Sequence, residues 1–410
     1  MPARAAVLRV RFTVANWHLT GQDVAVTTTN LADPPIRVST LELFFDLVFV
    51  FTITQVAAIV VEAPDGSGVA RAAITLSIIY WMYGGYAWLT NTNGPNTPAR
   101  RGILLAAMAA FFVCSLAVPS AFGDSGVAFG IAYLVVVLVH AAGFIVYIGS
   151  AAIRPVAHFL PWNLVSSGLV LAAAWAHGTA DWILWSVAAV VQLITPIVIR
   201  VGDNFQINAA HFAERHGLVI LIVLGESLVS VALAGQHQHV GPRLAIGVLA
   251  GLLAAAVMWW MYFGGDDERA AVAMNGAPPA KRPVWAITGY FLAHLFMIFG
   301  ILLIAAGTHI AVHDLVASVS SAGGWLIAGG AGLFALGSAA FRQAMHFASP
   351  LPRAAGGLAC LATFPIGRYG SAAGELAAIA VVLGVTLLVE HRLEYSPGVR
   401  APTASERMTA

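Results

Sequence analysis

Apolar residues in this chain come in blocks of membrane length, separated by short polar connections. Windows able to cross roughly 30 Å of hydrocarbon, about 20 residues each, fall at 40–61, 71–90, 102–121, 127–149, 157–177 and 181–200. The second half repeats the rhythm at 212–235, 243–264, 284–310, 324–345, 354–367 and 371–391. The pattern predicts an all-α integral membrane protein with about twelve transmembrane helices. The eleventh window is short and carries Pro365, so a tilted or re-entrant piece there would reduce the count to eleven. The blocks divide the chain into a disordered cytoplasmic segment at 1–38, six-helix membrane halves at 39–200 and 201–393, and a cytoplasmic tail at 394–410.

The connections give an orientation, because cytoplasmic loops collect Lys and Arg. With the N-terminus inside, alternate connections hold 17 of the 20 basic residues, and the opposite set holds only Arg71, Arg243 and Arg368. A wrong span count would scramble that alternation. The expectation is a cell-membrane protein with both termini in the cytoplasm. The two halves also resemble each other. Helix two ends in Trp81-Met82-Tyr83-Gly84-Gly85 and helix eight in Trp260-Met261-Tyr262-Phe263-Gly264-Gly265, and helices one and seven both open with a glutamate, Glu42 and Glu214. Six spans per half would give the halves the same orientation, as in parallel-repeat transporters.

Composition narrows the class. The chain is 59% hydrophobic and 10% charged, with mean hydropathy +0.83, against roughly 25% charged residues in a soluble domain. The near-zero net charge and the lack of a basic tract argue against nucleic acid as a partner. The lipid bilayer is the expected one. Cys114 and Cys360 lie in apolar runs and offer no disulfide framework. The segment before the first span has no apolar core of signal-peptide type, so that span is expected to remain as an uncleaved anchor.

Against this background the ionisable residues inside the windows stand out. Glu42 and Asp46 lie in the first window, and each acid well inside a bilayer costs about 2.5–3.5 kcal/mol. At i and i+4 they share one helix face. They need partners, a proton or a water-filled path, which makes them a proton or cation site or a salt-bridged structural pair. The seventh helix opens with His211, Glu214, Arg215 and His216, a charged cluster expected at its cytoplasmic end, and carries Glu226 deeper, beside Gly225. His140 on helix four and His294 on helix nine fall near mid-membrane, where a histidine could shuttle protons or hydrogen-bond between helices. Glu42, Asp46, Glu226, His140 and His294 therefore form the proposed intramembrane cluster. His309, His313 and Asp314, and His237 with His239, read as solvated helix ends rather than metal ligands. No metal and no cofactor is predicted, and no nucleotide-binding loop or hydrolase triad is present.

The run Arg37-Val-Ser-Thr-Leu-Glu-Leu-Phe-Phe-Asp-Leu-Val-Phe-Val-Phe, with His211-Phe-Ala-Glu-Arg-His-Gly and Leu224-Gly-Glu-Ser-Leu, resembles the bacterial low temperature requirement A (LtrA) family over roughly 37–393. The resemblance implies a multi-pass membrane protein connected with growth in the cold. It carries over no catalytic residue.

Three functions compete. Proton-coupled transport of a small solute or ion fits the span count, the duplication and the acids at depth. A membrane-embedded enzyme on a lipid or isoprenoid would use Glu42, Asp46 and Glu226 as acid and base, with Trp81 and Tyr83 lining an apolar cavity. A membrane sensor or structural protein supporting cold growth would not need the acids. Whether the protein is an enzyme, and how many copies assemble, stay open.

Overall fold

The computed structural model describes residues 38–198, 207–235, 241–311 and 315–394. Among these every regular element is helical. In chain order they are α1 (Thr40–Glu62), α2 (Gly66–Thr92), α3 (Pro98–Ala117), α4 (Gly126–Ile148), α5 (Ile153–Ala173), α6 (Thr179–Val198), α7 (Ala209–Gly235) and α8 (Pro242–Phe263). The chain continues through α9 (Asp266–Gly276), α10 (Arg282–Trp285), a π-helical stretch Ala286–Ala293 running into α11 (His294–Ile310), then α12 (Ser321–Met345), α13 (Leu351–Leu361), α14 (Phe364–Tyr369) and α15 (Ala372–Glu394). Short 3-10 turns lie between α3 and α4, between α4 and α5, and between α9 and α10.

Eight helical runs among the described residues are long and apolar enough to cross a membrane. The chain is thus a multi-pass, all-α membrane protein. One of these runs, Gly126–Ala173, contains two of the hydrophobic windows. It folds back at Gly149, whose φ of +80° lies in the left-handed region that glycine enters at little steric cost, and α4 and α5 then pack against each other. The windows at 71–90 and 212–235 are helical as α2 and α7. The eleventh window is broken. Its 11-residue α13 and 6-residue α14 would reach only about 16 and 9 Å at 1.5 Å per residue, so neither spans alone.

Most of the long helices turn one stripe inward, while α11 is buried nearly all round. On α1 the buried positions include Phe45, Phe49, Ile53, Val56 and Val60, while Phe44 and Leu47 are exposed. An apolar outward face is expected of a helix bathed in lipid, and similar exposed Leu, Ile, Val and Phe recur on α3, α4, α6, α8 and α15. Small residues bring α11 and α12 into close approach: a Cβ on Gly300 would lie 2.5 Å from the Gly330 carbonyl, and one on Gly337 would lie 2.9 Å from the Ala293 carbonyl. Such small-residue seams are how membrane helices pack without a hydrophobic driving force.

Neighbour relations take one order in both halves. In the first, α1 packs on α2 and α3, α3 on α4, α4 on α5, α5 on α6, and α2 on α6 and α4. In the second, α7 packs on α8 and α11, α11 on α12, α12 on α13, α13 on α15, and α8 on α15 and α12. The halves meet mainly where α1 and α2 touch α7 and α11.

Candidate functional site

Helix α1 opens on a capping box, Ser39-Thr-Leu-Glu42, with Ser39 as the cap residue. Ser39 Oγ accepts the Glu42 amide at 3.3 Å, and Glu42 Oε2 accepts from the Ser39 amide at 2.9 Å and its hydroxyl at 2.7 Å. This fixes the start of α1 and aims the remaining oxygen, Oε1, into the bundle. One turn on, Asp46 points the same way, and both side chains are fully buried.

The charge that meets them comes from α7. The Arg215 guanidinium is fully buried, with Nη1 3.2 Å from Glu42 Oε1 and Nη2 3.2 Å from Asp46 Oδ1. It also donates to Thr90 Oγ1 of α2 and lies 5.5 Å and 5.6 Å from the ring centres of Phe45 and Tyr83. Tyr83 OH donates to Asp46 Oδ1 at 2.9 Å. His211, one turn before Arg215, brings Nε2 to 3.3 Å from Glu42 Oε1. Its Nδ1 faces the Asn91 amide nitrogen at 3.3 Å. Since that nitrogen can only donate, Nδ1 accepts, and the proton of a neutral ring sits on Nε2, toward Glu42. Asn91 also clasps the loop before α7, accepting from the Asn208 amide at 2.8 Å and donating to the Asn208 carbonyl at 2.9 Å.

Three buried atoms of the cluster have no hydrogen-bond partner: the donors Arg215 Nε and His211 Nε2, and one acceptor, Asp46 Oδ2. Two carboxylates share one guanidinium, so with His211 neutral the formal sum is −2 + 1 = −1.

The residues singled out from sequence are regrouped by the structure. Arg215 and His211, which the sequence places in a separate cytoplasmic cluster, join Glu42 and Asp46 in a single site. Glu214 does not: it is exposed and accepts from the Val38 amide at 3.3 Å. His216 turns the other way, donating Nδ1–H to the Phe212 carbonyl at 2.8 Å with its ring 5.7 Å from that of His294.

His294 is not paired with Glu226. Its Nδ1 lies 2.9 Å from the Gly289 carbonyl and so must donate, and its Nε2 accepts from Tyr262 OH at 2.9 Å. Both nitrogens are satisfied in one neutral tautomer. His140 is buried among Tyr86, Phe144 and Phe159, neither ring nitrogen has a hydrogen-bond partner, and a Cβ on Gly85 would sit 2.8 Å from its Nε2. Glu226 lies eleven residues beyond Arg215, about 16 Å along α7. It is half-buried between exposed Gly225 and buried Ser227, and takes no part in the Arg215 cluster. No group of three or more His, Cys, Asp or Glu among the described residues could hold a metal. His237, His239, His313 and Asp314 lie outside the described residues, as do 1–37 and 395–410.

A family model described as Bacterial low temperature requirement A protein (LtrA) matches residues 37–388, most of the chain. The chain belongs to the LtrA family. A similar protein, uncharacterized protein RA0937 of Rhizobium meliloti (strain 1021), is 26% identical over 208 residues, 48% of this chain and 50% of the relative. The chain therefore spans about half the length of that curated relative. No solved structure matches.

This LtrA-family protein holds a second charged network that sequence reading missed. Asp266, at the start of α9, contacts Arg353 of α13 at 2.6 Å, Arg269 at 2.7 Å and Arg342 of α12 at 3.3 Å. Glu390 of α15 takes both Arg353 Nε and Nη2 at 2.9 Å, and Arg342 Nη1 at 2.7 Å. Glu394 bonds Arg342 and, at 3.0 Å, Arg269. Ser338 accepts from Arg353 at 2.5 Å. The only signal in the sequence is the placing of Arg342 and Glu390 just inside the ends of apolar windows. A single sequence does not reveal that these ends, together with Asp266 and Arg353, converge.

Proposed function

We propose that this LtrA-family protein is a proton-coupled carrier of a small solute or ion in the cell membrane, with both termini in the cytoplasm. The observation that carries the reading is the charge balance of the Glu42–Asp46–Arg215 cluster. A buried carboxylate without a counter-charge is strongly disfavoured, and two carboxylates close together raise each other's proton affinity. The site is therefore balanced only when a proton or another cation supplies the missing charge. Asp46 Oδ2 is the unoccupied acceptor, and Tyr83 and Arg215 fix the other oxygen in place. Loading and releasing a proton there changes what Arg215 is bound to, which is a means of coupling protonation to the packing of α1 against α7.

Two further features support the reading. The matching neighbour order of the two six-helix halves suits a pair of parallel repeats, an architecture in which substrate and ion sites lie where the halves meet. The cluster sits at that junction, on α1, α2 and α7. The 17-to-3 distribution of basic residues supports the cytoplasmic placement of both ends.

The test uses the full-length protein in vesicles enclosing a pH-sensitive dye and challenged with a panel of small external solutes. Wild type should change lumenal pH with at least one solute, and Asp46→Asn, which keeps shape but not charge, should not. No solute-dependent proton movement in wild type, or equal movement in both proteins, would reject the reading.

A further inference from the structure

At the other end of the bundle lies an acid that the Arg215 cluster does not use. Glu375, in the first turn of α15, is fully buried. Neither of its carboxyl oxygens has a hydrogen-bond partner. The end it occupies is set by contacts of its own helix: the far end of α15 carries Glu390 and Glu394 to Asp266, beside the end of α8, where Tyr262 and Phe263 face Gly217 near the start of α7. Glu375 is 15 residues back from Glu390, about 22 Å along the helix, and so on the side away from Asp46.

Its surroundings are built around it. The broken eleventh window brings α14 across the start of α15, and a Cβ on Gly367 would lie only 1.8 Å from Glu375 Oε2. Gly324 of α12 closes another side, with a Cβ there 3.6 Å from the same oxygen. The stretch of chain before α12 is pinned over the site: the Val319 amide donates to the Gly367 carbonyl at 3.0 Å, the Ala372 amide to Ala317 at 3.2 Å and the Ala373 amide to Leu315 at 2.8 Å. A water-sized cavity lies at this level, lined among others by Leu376, Ser227 and Thr308.

We propose that Glu375 is a second proton-binding site, on the side of the bundle opposite Asp46, which holds its carboxyl neutral at rest and exchanges that proton during the cycle. Charged and titratable groups on the elements packed round this end are Arg368 and Tyr369 on α14, Arg243 on α8, Cys360 on α13, His309 on α11 and Glu226 on α7; His313 and Asp314 lie outside the described residues. None of the former reaches the Glu375 oxygens. Arg368 instead lies over the exposed Tyr369 ring. The α15 helix end favours an anion, but its field acts weakly beside the cost of burying an unpaired charge, so the neutral acid prevails. Discontinuous helices beside an ionisable group are where membrane carriers commonly place their ions. This inference rests on the proton-coupled reading above.

Infrared spectra of the full-length protein in lipid vesicles test it. Wild type minus Glu375→Gln should show the carbonyl band of a neutral carboxylic acid near neutral pH, shifting in heavy water and lost reversibly on alkalinisation. Gly367→Ala, which drives a methyl group toward Oε2, should move that band. Carboxylate bands at neutral pH, or a neutral band that neither exchanges nor titrates, would overturn the proposal. In the dye-filled vesicles Glu375→Gln should abolish solute-driven pH change, and unaltered movement would also overturn it. If Asp46→Asn abolishes movement while Glu375 proves ionised, this inference alone fails. If the band titrates as stated while wild type moves no protons, the carrier reading fails and the site remains a proton-binding group.

Discussion

Two ionic clusters lie at the same end of this bundle and differ in their charge balance. The network of Asp266, Glu390 and Glu394 with Arg269, Arg342 and Arg353 sets three carboxylates against three guanidiniums, joined by multiple contacts of 2.6–3.3 Å. It ties α9, α12, α13 and α15 together and is electrically closed. The cluster of Glu42, Asp46 and Arg215 sets two carboxylates against one guanidinium and leaves Asp46 Oδ2 without a partner. A closed network holds helices in register. An open one is poised to accept a positive charge. Asp266, Arg342, Arg353 and Glu390 are as buried as the Arg215 cluster, whereas Arg269 and Glu394 reach solvent; among the buried members the charge count is what separates the two.

The largest effect should come from opening the closed network. Arg353→Met leaves three carboxylates against two guanidiniums and takes from Glu390 its two-bond partner, and removing one partner of a buried ion pair costs about 3–5 kcal/mol. Thermal denaturation of the purified protein should show a loss of that order, and a loss below about 1 kcal/mol would mean that the network does not hold the helices. Next comes Arg215→Met, which leaves two carboxylates facing each other. Here the damage should be recovered in part by adding Asp46→Asn, with a coupling of about 0.5–3 kcal/mol in a double-mutant cycle. Strict additivity would show that Arg215 and Asp46 act independently. The smallest effects should be Ser39→Ala, which removes the α1 cap and one anchor of Glu42, and Ser338→Ala, which removes an acceptor from Arg353. Each should cost about 1 kcal/mol, and Ser338→Ala should leave proton movement intact.

Much of the architecture is legible in hydropathy because the bilayer forces it: backbone groups in lipid must bond within helices, so apolar windows become helices. The window holding Pro365 is visibly weak, and it is the one that breaks. Glu42 and Asp46 are legible because an acid at membrane depth demands an explanation. Their partner is not. Arg215 reads as a helix-end charge, since one sequence does not say that α7 begins against α1. Glu375 and Glu390 meet the same criterion as Asp46, an acid inside an apolar window, yet Glu375 lacks a second acid one turn away and Glu390 merges with the polar helix end His391-Arg392. Depth alone groups Glu226, His140 and His294 with the acids, and depth does not determine which helices touch. The structure gives His294 a tyrosine and a carbonyl, and His140 an aromatic cage.

The charge missing at Asp46 is, on this account, a working proton rather than a structural imbalance. Asp46→Asn brings the cluster to a balance of zero while keeping its shape, so the protein should fold and insert with stability within about 1 kcal/mol of wild type, the range of a typical neutral hydrogen bond. The direct measurement is solute-driven proton movement by this variant in dye-filled vesicles at matched protein content. The account predicts a stable protein that moves no protons. Wild-type movement from Asp46→Asn would contradict it.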